Sequence, residues 1–225
     1  MFEDIEVLGG MQLYLANETD LQSIKDLDDL AFGHQHGVSL DELNSIKRAG
    51  GIILLRERAS GLLLGESQVL LSQFSSVPYP LHDDEAFYYG TAVHPSWQGR
   101  GFGKILAAAQ DNFARTQNKT KAALTVRVEN YASIKLRLEC DFLITAYLPN
   151  FYGQPEENGA RLLMTKEFRK SLPFFSRELR VPVTFGGSPD LAAHRMISET
   201  LAAGYQGYKV YRGKDNSAGF LSFGK

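Results

Sequence analysis

The spacing of apolar residues along the chain switches between a helical period and a strand period. Segments with apolar residues at every third or fourth position are predicted helices, and alternating or continuous apolar segments bounded by turn residues are predicted strands. Strands are predicted at 12–16, 52–57, 62–74, 86–93, 121–128, 143–148 and 161–168. Helices are predicted from about residues 20, 39, 104 and 130 onward. The resulting order, β-α-α-β-β-β-α-β-α-β-β, has no internal repeat and indicates an α+β domain over residues 1–169.

A shorter series of elements follows in residues 170–225. A strand is predicted at 181–185, and Ser188-Pro189-Asp190 has the cap, first-turn proline and acid of a helix start. A hairpin is predicted around 213–216, and the helix carries an apolar stripe of Ala193, Met196, Ile197 and Leu201. This β-α-β-β extension has too few apolar residues to be stable alone. We therefore expect it to pack on the 1–169 domain or on a second subunit, which leaves a homodimer open.

Composition excludes several functional classes. The 225 residues are 44% hydrophobic with a formal net charge of -2, which gives no case for binding nucleic acid or anionic membranes. The single cysteine, Cys140, cannot form an internal disulfide and suits a reducing compartment. The acidic start of the chain is unlike a signal peptide, and no apolar run reaches membrane-spanning length, so we expect a cytoplasmic location. His34 and His36 lack the other ligands of a metal site, and no metal is expected.

The segment 86–104 has the order strand, glycine-rich turn, helix. Pro95 ends the strand because it cannot donate to a sheet ladder, and a helix starts directly after Gly103. The first amides of a helix lack internal partners and carry partial positive charge. Glycines let an anion approach the backbone, and Arg100 and Lys104 add positive charge. The segment therefore predicts a phosphate-binding site.

Two common phosphate motifs do not fit this loop. The nucleotide P-loop requires glycine where Gln98 stands and a hydroxyl residue where Ile105 stands. The dinucleotide pattern G-x-G-x-x-G fails from Gly99, where Lys104 takes the third glycine position, and also from Gly101.

The spacing V-x-P-x-x-Q-x-x-G-x-G, at Val93, Pro95, Gln98, Gly101 and Gly103, resembles the acetyl-CoA signature of the GNAT superfamily of N-acetyltransferases. The resemblance implies the GNAT fold, a mixed central sheet flanked by helices, and acetyl-CoA as co-substrate. It also implies that the pyrophosphate lies on the amides of residues 98–103. The cofactor-binding residues expected on this basis are Ala92, Val93, Gln98, Gly99, Arg100, Gly101, Phe102, Gly103, Lys104, Asn130 and Ser133.

Resemblance to the family also suggests how the thioester is polarised. In the family, a backbone amide on the strand before the phosphate loop donates to the thioester carbonyl, and this position maps near Val93. Gly90 lies within the same strand, where glycine often marks a bulge. A bulge there would separate the strand from its neighbour and open the slot for pantetheine, as in the family.

The second family motif is matched only in part. Asn130 and Phe142 agree with it, but Arg137 stands where the family often has a proton-donating tyrosine, and Asp141 replaces a glycine. The stretch Asn150-Phe151-Tyr152-Gly153 is similar to the end of protein N-terminal acetyltransferases of the ribosomal-protein alanine type, where a tyrosine lies at the reaction centre. Tyr152 is therefore the candidate proton donor, with a half-buried loop aromatic as the alternative.

No general base is identified by the resemblance. The positions where relatives carry a glutamate correspond here to Thr125 and Phe87. Glu85, Glu129 and His94 are candidates from the residues themselves, and a chain of water molecules is an alternative.

The expected function is an acetyl-CoA-dependent N-acetyltransferase. It would move the acetyl group to a primary amine, of a protein N-terminus or a small molecule, by direct attack in a ternary complex. The alternative is an acyl-CoA-binding regulatory protein whose catalysis is lost or weak, which the residues at Phe87, Thr125 and Arg137 favour. A longer acyl chain on the same cofactor also stays open.

Overall fold

The computed structural model describes residues 5–7, 9–33, 37–153, 159–214 and 217–225. The histidines His34 and His36 lie outside these residues. Contacts between residues divide the chain into two compact units, residues 1–122 and residues 123–225. Within the described ranges, no helix is both long and apolar enough to cross a bilayer.

Unit 1, residues 1–122, contains an antiparallel sheet in the order β1-β2-β3-β4-β5 and three helices. Strand β1, which the sequence did not predict, pairs with β2. The elements are β1 (Ile5–Val7), β2 (Met11–Leu15), α1 (Leu21–Phe32), α2 (Leu40–Ala49), β3 (Gly50–Glu57), β4 (Leu63–Leu70), β5 (Glu85–Val93) and α3 (Phe102–Thr116).

Side-chain caps open the 3-10 turn before α1 and helix α2. Asn17 accepts from the Thr19 amide at 2.8 Å and opens a short 3-10 turn that leads into α1. Ser39 accepts from the Glu42 amide at 3.2 Å and caps α2, which was predicted to start from about residue 39. Helix α3 packs on β4, and its apolar stripe of Leu106, Ala109 and Phe113 is buried.

Unit 2, residues 123–225, contains the sheet order β6-β8-β7-β10-β11-β9. The predicted β-α-β-β extension is present as β9, α5, β10 and β11, close to the expected bounds. The elements are β6 (Lys121–Val126, whose first two residues belong to unit 1), α4 (Tyr131–Leu138), β7 (Leu143–Leu148), β8 (Arg161–Glu167), β9 (Glu178–Thr184), α5 (Leu191–Ala202), β10 (Gln206–Arg212) and β11 (Ala218–Gly224).

The extension joins the sheet of unit 2 through β10, which pairs with β7 at Gly207 and Ile144. A Cβ at Gly207 would lie 2.8 Å from the Ile144 side chain, so glycine allows the strands to approach. The predicted stripe of α5 is only partly correct. Ala193 and Ile197 are buried, but Met196 is 42% exposed and His194 is buried instead. The buried face is displaced because His194 finds polar partners inside the unit.

Candidate active site

Strand β5 carries the predicted bulge. Gln68 of β4 pairs with Gly90, but the next residue, Val69, pairs with Tyr88, so Tyr89 is the extra residue. A Cβ at Gly90 would lie 2.9 Å from Gln68 Oε1, so any other residue here would displace the Gln68 side-chain amide. The register irregularity expected in this strand is therefore confirmed.

At Val93, the last residue of β5, the backbone amide and carbonyl point away from β4. The His94 amide donates to the Leu64 carbonyl of β4 at 2.9 Å. Because successive amides of a strand point to opposite edges, the Val93 amide points away from β4. On that side Gln98 Nε2 donates to the Val93 carbonyl at 3.2 Å. The glutamine of the motif thus ties the phosphate loop to the end of β5.

Glycine conformation shapes the loop that follows. A 3-10 turn at Pro95–Trp97 leads into Gly99 and Gly101, whose φ angles are 75° and 89°. These left-handed values are unfavourable for other residues, so the two glycines are required by the path of the chain. Gly101 is the residue at which the chain enters α3, and no described side chain caps this end of the helix.

The start of α3 presents unoccupied amides. Among the described residues, no hydrogen bond uses the amides of residues 99–103, whereas the Lys104 and Ile105 amides donate to the Gly101 carbonyl. Arg100 is exposed with its guanidinium 4.6 Å from the centre of the Trp97 ring, and Lys104 is also exposed. The arrangement offers backbone donors, the helix dipole and two cationic side chains to an anion.

The predicted cofactor residues of unit 2 lie at the start of α4. The Asn130 side chain accepts from the Ser133 amide at 3.1 Å and caps the helix. Arg137, at the position of the family tyrosine, is buried with its guanidinium 5.9 Å from the Phe142 ring centre. A buried guanidinium cannot donate a proton at neutral pH, so this residue packs rather than acts as an acid.

Tyr152 is 36% exposed, and its neighbour Phe151 is buried. The two rings meet edge to face with centroids 4.7 Å apart. The Arg161 guanidinium lies 5.2 Å from the centre of the Tyr152 ring. Burial lowers the pKa of Arg161, while the charge of Tyr152 acts in the opposite direction. Tyr152 is thus a surface phenol held against a cation.

The three candidate bases have different surroundings. Glu85 is buried and accepts from the Tyr79 hydroxyl at 3.0 Å. His94 Nδ1 accepts from the Ser96 amide at 3.3 Å and caps the 3-10 turn. Glu129 lies 2.9 Å from His194 Nε2, which places a second proton carrier beside it. Only Glu129 is coupled to an imidazole among these three.

Sequence reasoning missed a buried carboxyl in β4. Glu66 is fully buried, and its Oε2 has no hydrogen-bond partner in the described ranges. Burial raises the pKa of Glu66 to about 8, and the charge of Asp28 adds to the effect, while hydrogen bonds with Gln68 and the Ala92 backbone lower it. The sequence signal that could have indicated it is an acid in the middle of a strand whose two ends, Leu63–Leu64 and Val69–Leu70, are apolar.

No group of three or more His, Cys, Asp or Glu side chains is placed to hold a metal ion in the described part of the chain. A search of curated protein sequences finds no significant match.

Solved structures show the same fold. The ribosomal-protein-S18-alanine N-acetyltransferase from Escherichia coli is 19% identical, with a TM-score of 0.58, and the match covers 73% of this chain and 99% of that one. Arabidopsis thaliana Naa50 in complex with a bisubstrate analogue, CoA-Ac-MVNAL, is 20% identical, with a TM-score of 0.57 and coverage of 71% and 99%. The spermidine N-acetyltransferase from Vibrio cholerae, in complex with CoA and spermine, is 20% identical, with a TM-score of 0.54 and coverage of 70% and 95%.

The sequence also matches a known protein family. The model of the acetyltransferase (GNAT) family matches residues 22–142, more than half of the 225 residues. This range contains the bulged strand β5, the glycine-rich loop and the first turn of α3. The chain therefore belongs to the acetyltransferase (GNAT) family and is an N-acetyltransferase that uses acetyl-CoA.

Proposed function

We propose that this protein transfers the acetyl group of acetyl-CoA directly to a primary amine while both substrates are bound. The observation that carries the proposal is the row of amides at residues 99–103, for which the described residues supply no acceptor. These amides follow the 3-10 turn after β5, whose last amide, that of Val93, points away from β4. Holding thioester and amine in line removes much of the entropic barrier of the reaction.

The cofactor is proposed to bind through its pyrophosphate at the start of α3. Backbone amides at residues 99–103 would donate to the phosphate oxygens, whereas the Gln98 amide, which was also expected to do so, already donates to the Pro95 carbonyl at 3.3 Å. Arg100 and Lys104 would supply positive charge. The positive φ angles of Gly99 and Gly101 support this role because they turn consecutive amides toward one side. Ala92, Phe102 and Gly103, with Asn130 and Ser133 of α4, are the further cofactor contacts that we propose.

Carbonyl polarisation is assigned to the Val93 amide. Negative charge develops on the thioester oxygen as the amine attacks, and a fixed backbone donor stabilises that charge without reorganisation. The hydrogen bond from Gln98 to the Val93 carbonyl supports the assignment because it restrains this peptide.

Proton donation to the leaving thiolate is assigned to Tyr152. A phenol with a pKa of about 10 can protonate a thiolate whose conjugate acid has a pKa of about 8.5 once the groups are held together. The nearby Arg161 supports the assignment, because a cation stabilises the phenolate left after donation.

The acceptor is proposed to be a protein N-terminus or a small-molecule amine. Structures of similar fold support both: one holds a bisubstrate analogue with the peptide MVNAL, and another holds spermine. Both acceptors present a primary amine, which must be neutral to attack.

Thiol release from acetyl-CoA, measured with a panel of peptides, polyamines, amino acids and aminoglycosides, tests the proposal. Turnover with at least one amine, and formation of the N-acetyl product by mass spectrometry, are expected. Tight CoA binding without turnover on any of these amines would instead support the regulatory alternative.

A further inference from the structure

Two polar side chains of β4 lie buried inside unit 1, and the proposed function does not yet use them. Glu66 is 0% exposed and Gln68 is 1% exposed. Gln68 Nε2 donates to Glu66 Oε1 at 3.4 Å, whereas Glu66 Oε2 and Gln68 Oε1 have no hydrogen-bond partner among the described residues. An amide oxygen and an ionised carboxyl oxygen are both acceptors, and burying them without a donor is costly.

Glu66 and Gln68 face α1, on the side of the sheet opposite α3. A Cβ at Gly65 would lie 2.8 Å from the Leu106 side chain of α3. Because successive side chains of a strand alternate between its two faces, Glu66 and Gln68 point to the other face. Asp28, which is buried in α1, acts on Glu66 through its charge from that face.

The register of β4 and β5 places Glu66 and Gln68 beside the part of β5 that leads to Val93. Glu66 pairs with Ala92, the residue before Val93, and Gln68 pairs with Gly90 at the bulge. Residues opposite each other in an antiparallel pair have Cα atoms about 5 Å apart. The two side chains therefore lie one strand spacing from the amide that we assign to the thioester carbonyl.

Further acids lie near Glu66 on α1 and α2. Burial raises the pKa of Asp28, and the charges of Asp29 and Glu42 add to the effect. Lys25 acts on Asp28 in the opposite direction, but its ammonium bonds to Asp29 at 2.8 Å. The carboxyl groups of this region thus outnumber the cation that faces them.

The other elements packed on β4 face Glu66 with neutral groups. Leu54 of β3 lies opposite Glu66, and the Tyr89 hydroxyl of β5 donates to Glu42 Oε1 at 2.7 Å. Helix α3 lies on the other face, where Gln110 donates to the Gln68 carbonyl at 3.2 Å. Because no cation acts on Glu66 among the described residues, its surroundings attract a cationic ligand.

We propose that Glu66 and Gln68 receive the ammonium group of the acceptor, and that Glu66 takes its proton before the amine attacks the thioester. This inference rests on the proposed function and supplies its general base. A primary ammonium carries three N–H donors, which can meet Glu66 Oε2 and Gln68 Oε1 together. The Val38 amide donates to Asp28 Oδ2 at 2.6 Å, so the end of the connection between α1 and α2 forms an edge of the site at which the acceptor enters. Glu66 is the catalytic residue, and Gln68 and Asp28 are positioning residues.

The ionisation of Glu66 suits this role. Burial raises the pKa of Glu66 to about 8, and the charge of Asp28 adds to the effect, against the hydrogen bonds with Gln68 and the Ala92 backbone. A general base is most effective when its pKa lies near the operating pH. A cation bound beside Glu66 favours the carboxylate, so the ammonium group itself converts Glu66 to the form that accepts a proton.

The transfer balances in protons and charge. One proton of the ammonium group passes to the Glu66 carboxylate, and the amine lone pair then forms the N–C bond as the C–S bond breaks. The nitrogen loses a second proton as the amide forms, and this loss equals the proton that the thiolate gains. Glu66 returns its proton to solvent after the product leaves.

Steady-state kinetics across pH test the assignment in the full-length protein, with the fastest acceptor of the amine panel. Glu66→Gln keeps the shape of the side chain and should lower kcat/KM about 100-fold, with acetyl-CoA affinity within twofold of wild type. The ratio of kcat/KM in wild type to that in Glu66→Gln cancels the ionisation of the amine itself. Because Glu66 must be ionised, this ratio should rise about tenfold for each pH unit below about 8 and level off above it.

Two further variants separate proton transfer from packing. Asp28→Asn removes a negative charge that raises the pKa of Glu66, so the rise in kcat/KM should move to lower pH. Ser67→Ala is the matched control, because Ser67 is also 0% exposed and its Oγ also has no partner in the described ranges, yet it faces α3. Its kcat/KM and pH dependence should equal those of wild type.

The outcomes distinguish this inference from the proposed function. A ratio near one at every pH, or a loss in Ser67→Ala as large as in Glu66→Gln, would overturn the role of Glu66 and leave the transferase function intact. If wild type binds acetyl-CoA but acetylates no amine, both fall. Carbon-13 NMR of wild type covers the case of an unfolded Glu66→Gln variant. With CoA bound, adding the acceptor should lower the pKa of the glutamate carboxyl that titrates near pH 8, and an unchanged pKa would contradict the site.

Discussion

The two units of this protein place their polar groups in different ways. In unit 1 the candidate cofactor site consists of main-chain amides, at Val93 and in the loop that enters α3. In unit 2 a buried imidazole, that of His194, is held by the side chains of Tyr147 and Glu129, which lie 47 and 65 residues from it in the chain. A backbone site depends on local conformation, whereas a side-chain network depends on which distant elements meet.

The glutamates Glu66 and Glu129 repeat this difference. Glu66 in unit 1 has no cationic partner among the residues that the structure describes, and burial raises its pKa to about 8. Glu129 in unit 2 is also desolvated, but His194 and Arg127 reverse the effect and hold its pKa below the ordinary value. Burial thus sets the direction of a carboxyl pKa only where no counter-charge is supplied.

The largest expected effect comes from breaking the backbone site. Gly101→Asp combines an unfavourable φ of 89° with a negative charge at the start of α3. Calorimetry should detect no CoA binding, while circular dichroism should show an intact fold. Gly61→Asp is the matched control, because Gly61 has a similar φ of 71° in the turn between β3 and β4. CoA binding to Gly101→Asp as tight as in wild type would place the site elsewhere.

The next largest expected effect is a change in the pH dependence of stability when the Glu66 carboxyl is removed. The folded-state pKa of Glu66 is above its ordinary value of 4.5, so its contribution to stability is complete below that value and is lost as pH rises through about 8. Glu66→Gln should therefore gain stability relative to wild type with rising pH, by about 1.4 kcal/mol for each unit of pKa displacement. Urea unfolding at several pH values measures this difference.

For Glu129→Gln we expect the opposite change of stability with pH, so this variant serves as the control for Glu66→Gln. Because the folded-state pKa of Glu129 is lowered, its carboxylate stabilises the fold above the ordinary pKa and loses that contribution as pH falls. The destabilisation caused by Glu129→Gln should thus shrink toward acid pH. If the difference in unfolding free energy from wild type changed with pH in the same direction for both variants, the distinction between the two sites would be contradicted.

A smaller effect, on kcat, is expected from removing the Tyr152 hydroxyl in unit 2. Tyr152→Phe should lower kcat by about 100-fold and leave acetyl-CoA affinity nearly unchanged, because only the proposed proton donor is lost. Kinetics under conditions where chemistry limits turnover provide the measurement. Arg137→Ala should act differently, through packing, since Arg137 is buried. A wild-type kcat in Tyr152→Phe would eliminate the role assigned to this tyrosine.

The smallest effect concerns the cap of α4. Asn130→Ala should destabilise the protein by about 1 kcal/mol, because the Ser133 amide loses its acceptor. Asn130→Asp keeps an acceptor oxygen and should retain most of the stability. Thermal unfolding of the two variants distinguishes them, and equal midpoints would show that the cap contributes nothing.

The sequence by itself determined the features that depend on neighbouring residues. The helix starts at Ser39 and Asp190, the bulge beside Gly90 and the glycine-rich entry to α3 all follow from a few adjacent residues. The family also followed from this local information, because the spacing of Val93, Pro95, Gln98, Gly101 and Gly103 reflects backbone geometry.

Only the tertiary structure decided which charged and polar side chains are buried and how their pKa values shift. The helical period predicted Met196 inside, yet His194 is buried because Glu129 and Tyr147 satisfy both of its nitrogens. The raised pKa of Glu66 and the lowered pKa of Glu129 have the same origin. Desolvation and counter-charge act through space between elements that are remote in sequence, and no local pattern encodes them.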